Sequence, residues 1–594
     1  MLPHADIDLN WKRSLTEWWR RLVGLFPFQI NQPTSMSMRS WKVPVAVTMG
    51  QLVRSPGFWI EVCLIFGVLW LYAGQLTPSV NETHYLTKAK HFWNPSWCPD
   101  DLFLGSSYSH YLFYLTTGWL TLFFSLDAYA WIGRILCWAG FAVGWYLLVQ
   151  VFSSRPGRAL IGIVIFLVLM DRFHMAGEWA IGGFEAKSIS YVFALFALEK
   201  YFRGKWNSFW PWIGCACSFH VLVGGWVLIG LVTGSLLATL RHRWGQADST
   251  SDETLLKFPA VPMVCFLILF AVGALPPLIQ QAQASPTINQ MAFQVYVHER
   301  LPHHLLFGEF ATSQVGRFAL LSAIWFCFAW FLRKIPQVRL LNWFCTASLL
   351  ITLAGLLLSG LAEAGKAEQG GMSDWATGWL RFYWFRLSDF TIPLGISIMC
   401  VTILPTLSVR ESVRVHRTGQ LVSIVSILMI LLAGIWIFVA KWDDPRSPAD
   451  RASLPTYEDN RKRTVETQVN WQKACDWIRQ NTPSNAVFIT PNDQQTFKWF
   501  AQRSEVVNWK DIPQNGEATL EWKRRIDSIY RIQRLYPSGL LSFENPEQMA
   551  SLFGADYLLI EQSAVDALPS PTGLKQVYPV DPQRKSTYVV FQLQ

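Results

Sequence analysis

Apolar and polar positions fall along this chain in blocks much longer than a soluble core requires. From Gly57 to Ala440 apolar runs are parted by short polar gaps, and after Lys441 charged residues become frequent. Leu421 to Ala440 carries no charge at all. A run of about 20 such residues crosses a hydrocarbon layer of about 30 Å. The pattern predicts spans near residues 57–75, 129–152, 158–172, 188–203, 208–222, 223–240, 260–280, 317–332, 339–361, 383–404 and 420–440. The third and fifth are short for the task. The fold class that follows is a polytopic α-helical membrane protein of about 11 transmembrane helices with a C-terminal soluble α/β domain.

One apolar run is left out of that count. Tyr111 to Leu126 (YLFYLTTGWLTLFFSL) is apolar enough to span, but counting it would turn SSRPGR and the inner loops after it outward. It reads as an interfacial or partly re-entrant helix. With the N-terminus inside, every inner segment is basic, as membrane insertion favours. These are residues 1–55, SSRPGR, KYFRGK, LRHRW through Lys257, RKIPQVR and VRESVRVHR. The outer loops are then 76–128, 173–187, 281–316 and 362–382, and the tail from 441 to 594 is extracytoplasmic. Within residues 1–55, Trp11, Leu15, Trp18, Leu22 and Phe26 recur at helical spacing beside Lys12, Arg13, Arg20 and Arg21. That predicts a basic amphipathic helix on the inner face; a poorly ordered tail is the plain alternative. No signal-peptide pattern opens the chain.

The tail has shorter periods. VNWQKACDWIRQN and EATLEWKRRIDSIYRIQ read as helices; AVFIT, EVVNW, ADYLLIEQ, KQVYPV and TYVVFQL read as strands. Helices alternating with short apolar strands predict a small α/β domain.

Composition sharpens the picture. Hydrophobic residues make up 51% and charged residues 15% of the 594, with net charge +9. In a soluble chain that charge would suggest nucleic acid; here the basic inner loops account for it, and no nucleic-acid partner is expected. Eight of the ten cysteines lie in apolar spans, where they pack as small hydrophobes. Cys98 and Cys475 lie outside, and whether they form a disulfide stays open.

Seven of eleven histidines fall in outer loops: His84, His91, His110, His174, His298, His303 and His304. That clustering suggests a polar site on one membrane face. Glu82 lies just past the first span, where partial shielding raises a carboxyl toward a useful base; a helix cap or a solvated loop charge explains it equally well. GEWAIGGFEAKS gathers Glu178, Glu185 and Lys187 around a flexible Gly182-Gly183 pair, and Glu185 and Lys187 can simply neutralise each other. HERLPHH sets Arg300 among His298, His303 and His304, a cradle for phosphate or diphosphate. A divalent metal is a further option, with His84 and His298 as weak candidate ligands, because no spacing matches a known metal pattern. Arg381 and Arg386 flank Asp389, and an Arg–Asp pair inside a span is costly unless functional or tightly paired. His220 and Cys215-x-Cys217 read as packing residues.

The layout resembles the GT-C glycosyltransferases: oligosaccharyltransferase catalytic subunits, protein O-mannosyltransferases and aminoarabinose transferases. In those a first span leads to a long outer loop with an early acidic residue and amphipathic helices. Glu82 and SHYLFYLTTGWLTLFFSLDAYAWIGR occupy those places here. GGFEAKS matches the acidic second outer loop, and FHVLVGG is similar to a histidine-containing turn between later spans. DWIRQNTPSNAVFITPND through FKWFAQRSEVVNWKDIP is similar to the soluble domains of uncharacterised bacterial members. The family's acidic pair is here a single Glu82 preceded by Asn81, and NWKD is a distant echo of the WWD acceptor motif. The resemblance implies sugar transfer from a polyprenyl-phosphate donor on the outer leaflet. Glu82 and Glu185 would then be the catalytic carboxylates, with Arg300, His303, His304, Arg381 and Lys187 on the phosphate. A catalytically inactive binder of lipid-linked envelope polymers and a transporter remain alternatives. The donor sugar, the acceptor and the oligomeric state stay open.

Overall fold

In the computed structural model the chain divides into two units, 1–52 and 53–594, and the described residues all belong to the second. The described residues are 54–244, 256–364, 371–403, 429, 431–453, 461–533, 536–541, 551–565, 574–581 and 586–593. The amphipathic N-terminal segment and most of the run at 420–440 lie outside them.

Seven described helices are long and apolar enough to cross a membrane: Pro56–Ala73, Leu126–Phe152, Val221–Arg241, Ala260–Gln283, Thr312–Leu332, Val338–Ala364 and Arg386–Ile403. Three further predicted spans are helices that fall short of that length: Arg158–Phe173 with 16 residues, Ala186–Phe202 with 17 and Trp206–Phe219 with 14. With most of the run at 420–440 outside the described residues, the count of eleven is not confirmed. The chain is an integral membrane protein by its seven long apolar helices, and two of these carry little buried surface of their own. Ala260–Gln283 and Thr312–Leu332 expose Leu267, Ile268, Leu278, Phe326 and Phe331, an arrangement suited to lipid.

Local sequence sets the helix ends. Pro56 opens the first helix, where its missing N–H costs nothing. Ser125 caps Leu126–Phe152 by accepting from the Ala128 N–H, and Asp127 sits at the positive end of the dipole. The run from Tyr111 forms two short pieces, Tyr111–Thr117 and a 3₁₀ turn Gly118–Leu122, too short to span. Leu115, Trp119, Leu122 and Phe123 are exposed along it.

The tail builds a five-stranded sheet in the order β2-β1-β5-β7-β6. Its strands are β1 Val487–Ile489, β2 Ser504–Glu505, β5 Tyr557–Glu561, β6 Lys575–Tyr578 and β7 Tyr588–Gln592; β3 Tyr530–Gln533 and β4 Tyr536–Leu541 form a separate hairpin. EVVNW, expected as a strand, pairs only over Ser504–Glu505, because the residues after it turn away to make side-chain contacts. β7 shows the period of two directly. Val589 and Phe591 pack with Trp522 and Ile526 of the helix Gly516–Ile529; Tyr588 and Val590 pack with Trp471 and Ile478 of the helix Arg461–Asn481. The tail does not stand apart. Val295 belongs to the first of those cores, and Trp499 enters a core with Leu86, Phe113, Tyr129 and Phe184.

Cys98 and Cys475 are both free thiols, buried in different clusters.

Candidate active site

Glu82 begins the helix Glu82–Trp93 and is fully buried. Its carboxylate receives two bonds from Arg134, at 2.7 Å from Nε and 2.6 Å from Nη2. The Ser79 and Phe184 N–H groups donate to it at 2.7 Å each. Four donors on two oxygens leave no room for a substrate proton. The expected shielded base is a clamp that fastens the loop 173–187 to residues 79–82. Gly183 is what lets the loop in: a Cβ there would lie 2.5 Å from Ser79 Cβ and 2.9 Å from the Glu82 carboxyl carbon. Gly182 is likewise packed, against the Trp179 ring. The glycine pair serves close approach, not flexibility.

Clamping Glu82 leaves Glu185 as the carboxylate with capacity to spare. It is buried, and its Oε2 accepts from the Asn81 amide at 3.0 Å. Its Oε1 has no hydrogen-bond partner; the Lys187 ammonium stands 3.6 Å away. Burial pushes its carboxyl above the usual range, against the lowering influence of Lys187 and the Asn81 amide. Lys187 also reaches Glu178 at 3.3 Å and lies over the Trp179 ring. Glu178 in turn pairs with Arg386 at 3.0 Å and accepts from Tyr191.

Positive charge accumulates beside this pair. Arg300 is buried and donates to two backbone carbonyls, Trp509 at 2.8 Å and Lys510 at 3.4 Å. Lys510, half-buried, donates to the Asn81 side-chain oxygen at 3.0 Å. Among the described residues neither cation has a carboxylate within salt-bridge distance. Burial, with Arg300 beside it, pulls the Lys510 ammonium down to about 8. His303 is held neutral, at about 4, by burial and by the charges of Arg300 and Lys510. His304 falls to about 3 for the same first reason, with its Nδ1 2.7 Å from the Ala176 carbonyl. A mostly apolar crevice is lined by Leu222, Val223, Trp226, Val227, Leu387 and Phe390 together with Tyr191 and Arg386.

Other expected residues go elsewhere. Arg381 bonds the Gly378 carbonyl and Gln281 and stacks on Phe293, away from Glu185. Among the described residues Asp389 pairs with no arginine; it accepts the backbone N–H groups of Met175, Ala176 and Glu178 at 2.7, 2.9 and 3.4 Å, fixing the loop that carries Glu178. His298 lies 3.1 Å from the Thr377 hydroxyl. His84 lies 3.0 Å from Asp511, so His84 and His298 have separate surroundings. No group of three His, Cys, Asp or Glu side chains suited to a metal occurs among the described residues. His220 stacks on His110 and accepts from the Val223 N–H, a packing role.

A second ionic centre seats the tail. The Lys498 ammonium lies 2.5 Å from Glu505, 2.7 Å from Asp511 and 3.3 Å from Asp101 of the first outer loop. Burial opposes its charge, but the three carboxylates hold it well above the usual lysine range. Asn508 donates to both Glu505 and Asp511, and Trp522 donates to the Asn508 carbonyl at 2.9 Å. The NWKD segment is thus wedged between the tail core and the first outer loop, and it delivers Lys510 to Asn81. In the sequence NWKD stood out, but Lys510 and Arg134 had no role and Asn81 was only the residue before Glu82. The signal for them was weak: a lysine next to a tryptophan in a soluble tail carries no pattern of its own.

A family model described as a domain of unknown function (DUF6798) matches residues 469–529, the stretch holding Lys498, Glu505 and NWKD. No curated relative matches the chain in sequence. Among solved structures the chain is similar to ArnT from Cupriavidus metallidurans bound to undecaprenyl phosphate, at 12% identity and TM-score 0.44 over 90% of this chain and 97% of that one. It is also similar to the Archaeoglobus fulgidus oligosaccharyltransferase tethered with an acceptor peptide, at 13% identity and TM-score 0.37 over 85% and 69%. A third is the archaeal oligosaccharyltransferase AglB from Archaeoglobus fulgidus in complex with an inhibitory peptide and a dolichol-phosphate, at 12% identity and TM-score 0.38 over the same shares. These likenesses are loose, and function is argued below from the residues themselves.

Proposed function

We propose that the chain transfers a sugar from a polyprenyl-phosphate donor to an acceptor hydroxyl at the outer membrane face, with its N-terminus cytoplasmic and its tail extracytoplasmic. The observation that carries this reading is the pairing of opposites at one place. Among the described residues Arg300 and Lys510 are shielded cations that bond only neutral groups, and Glu185 beside them keeps one oxygen without a hydrogen-bond partner. Shielded charge is costly unless compensated, so an anion is the natural occupant. Counting Lys187 and Arg386 with Arg300 and Lys510 against Glu178 and Glu185, cations exceed carboxylates, as a phosphate requires. Leu222, Val223 and Trp226 line one crevice with Arg386, apolar surroundings of the kind a prenyl chain needs. Membrane lipids surround the rest.

In this reading Glu185 Oε1 takes the proton of the acceptor hydroxyl as its oxygen bonds the anomeric carbon. The bond from that carbon to the phosphate oxygen breaks, and the electron pair leaves with the polyprenyl phosphate. Arg300, Lys510 and Lys187 offset the charge that grows there. His303 and His304, neutral at working pH, line the site as hydrogen-bonding groups and add no charge to it.

The test uses purified protein in lipid nanodiscs with a panel of undecaprenyl-phosphate sugars, reading release of undecaprenyl phosphate. Glu185→Gln should lower turnover by about a hundredfold or more while donor affinity stays within a few fold. Turnover unchanged in Glu185→Gln would remove the base from the scheme; no binding of any undecaprenyl phosphate species would remove the donor class.

A further inference from the structure

Asn81 touches both halves of the candidate site. Its Nδ2 donates to Glu185 Oε2 at 3.0 Å, and its Oδ1 accepts from the Lys510 ammonium at 3.0 Å. The chemistry fixes which way the amide faces, because only the NH2 end suits a carboxylate and only the oxygen suits an ammonium. The backbone is equally fixed. Asn81 is the residue before the helix Glu82–Trp93, its carbonyl accepts from the His84 and Tyr85 N–H groups, and its neighbour Glu82 is bolted to Arg134.

We propose that Asn81 is a positioning residue: its amide orients the Glu185 carboxylate and couples that carboxylate to the seating of the tail through Lys510. The inference rests on the reading of Glu185 as the base. An amide does here what the acidic residue at this place in an acidic pair could not. Aspartate would accept from Lys510 but would set a second negative charge against Glu185. With Asn81 in place, lifting the NWKD segment off the first outer loop frees the amide to turn, and the base loses its orientation together with the phosphate-binding ammonium. The site is complete only when the tail is seated.

Glu185 is faced by several charged or titratable groups: Lys187 and Glu178 from its own loop, Arg386 from the span Arg386–Ile403, Tyr85 and Cys137 from two further helices, and Lys510 from the tail. The experiment therefore needs a signal belonging to Glu185 alone. Infrared difference spectra of the full chain in nanodiscs, taken across pH, contain the stretch of its protonated carboxyl, identified as the band lost in Glu185→Gln. Removing the hydrogen bond to the charged form raises a carboxyl's protonation midpoint. In Asn81→Leu that midpoint should rise by about half to one pH unit, and in Asn81→Asp by at least as much. Lys510→Gln should raise it in the parent chain and raise it less in the Asn81→Leu background, since the amide carries part of the coupling. Thermal unfolding accompanies each variant, and Asn81→Asp serves if Asn81→Leu fails to fold. An unmoved midpoint in folded variants, or equal effects of Lys510→Gln in both backgrounds, overturns the proposal and leaves the role of Glu185 to its own turnover test. Full turnover in Glu185→Gln defeats the reading of the base instead, whatever the band does.

Discussion

Replacing Glu82 by glutamine separates a clamp from a base. In the native fold the carboxylate takes four bonds, two from Arg134 and two from backbone N–H groups, and both side chains are almost wholly removed from solvent. Glutamine keeps the size but offers one acceptor oxygen, and its NH2 end must face a donor. Arg134 keeps the Gln75 carbonyl at 2.7 Å and the Trp131 ring, but its charge loses its counter-ion. Removing one partner of a buried ion pair costs about 3–5 kcal/mol. Glu82→Gln should therefore lower stability by that order, measured by tryptophan fluorescence during unfolding in mixed detergent micelles.

Arg134→Gln should cost a similar amount, leaving a buried carboxylate short of two donors. The double variant should cost clearly less than the sum of the two, because each single change already removes the same pair. A base predicts something else: Glu82→Gln would fold with stability within about 0.5 kcal/mol of the parent, while turnover fell by about a hundredfold or more. That outcome would refute the clamp and return Glu82 to the chemistry.

Three further outcomes follow from the same contacts. Undecaprenyl phosphate affinity, measured by fluorescence titration, should weaken as pH rises through about 8, where Lys510 loses its proton, and Lys510→Gln should abolish that step. Stability should decline as pH falls from about 6.5. His304 is held neutral to about 3 when folded, so below 6.5 the unfolded chain binds the extra proton; His304→Asn should flatten the upper part of that decline, read by thermal unfolding across pH. Lys498→Met leaves Asp101, Glu505 and Asp511 facing one another without their cation, and should loosen the tail from the first outer loop, read as faster amide exchange in residues 504–511.

The membrane helices and the tail strands were legible because each rests on a local period: long uncharged runs for the spans, and alternation such as Tyr588 to Phe591 for the sheet. Exact span length was less so, since Trp206–Phe219 and Arg158–Phe173 are buried among neighbours and the run of apolar residues does not say where hydrogen bonding stops. The site was legible only in part. Glu185, Lys187 and Arg300 could be picked out as charges in apolar surroundings. What each carboxylate does depends on how many donors reach it, and that is a property of contacts about 50 to 400 residues apart in sequence, such as Glu82 with Arg134 or Asn81 with Lys510. Glu82 looked like a shielded base just past a span, and Asp389 like half of an Arg–Asp pair inside one. Each turned out to collect backbone N–H groups from the loop 173–187, Glu82 at Phe184 and Asp389 at Met175 to Glu178. Two carboxylates that hold that loop at both ends explain why Glu178, at the first end, and Glu185, next to Phe184 at the second, can be buried and still face a cluster of cations. The fixed loop lets one carboxylate oxygen, Glu185 Oε1, stay unbonded in a shielded place, which a mobile loop would have solvated.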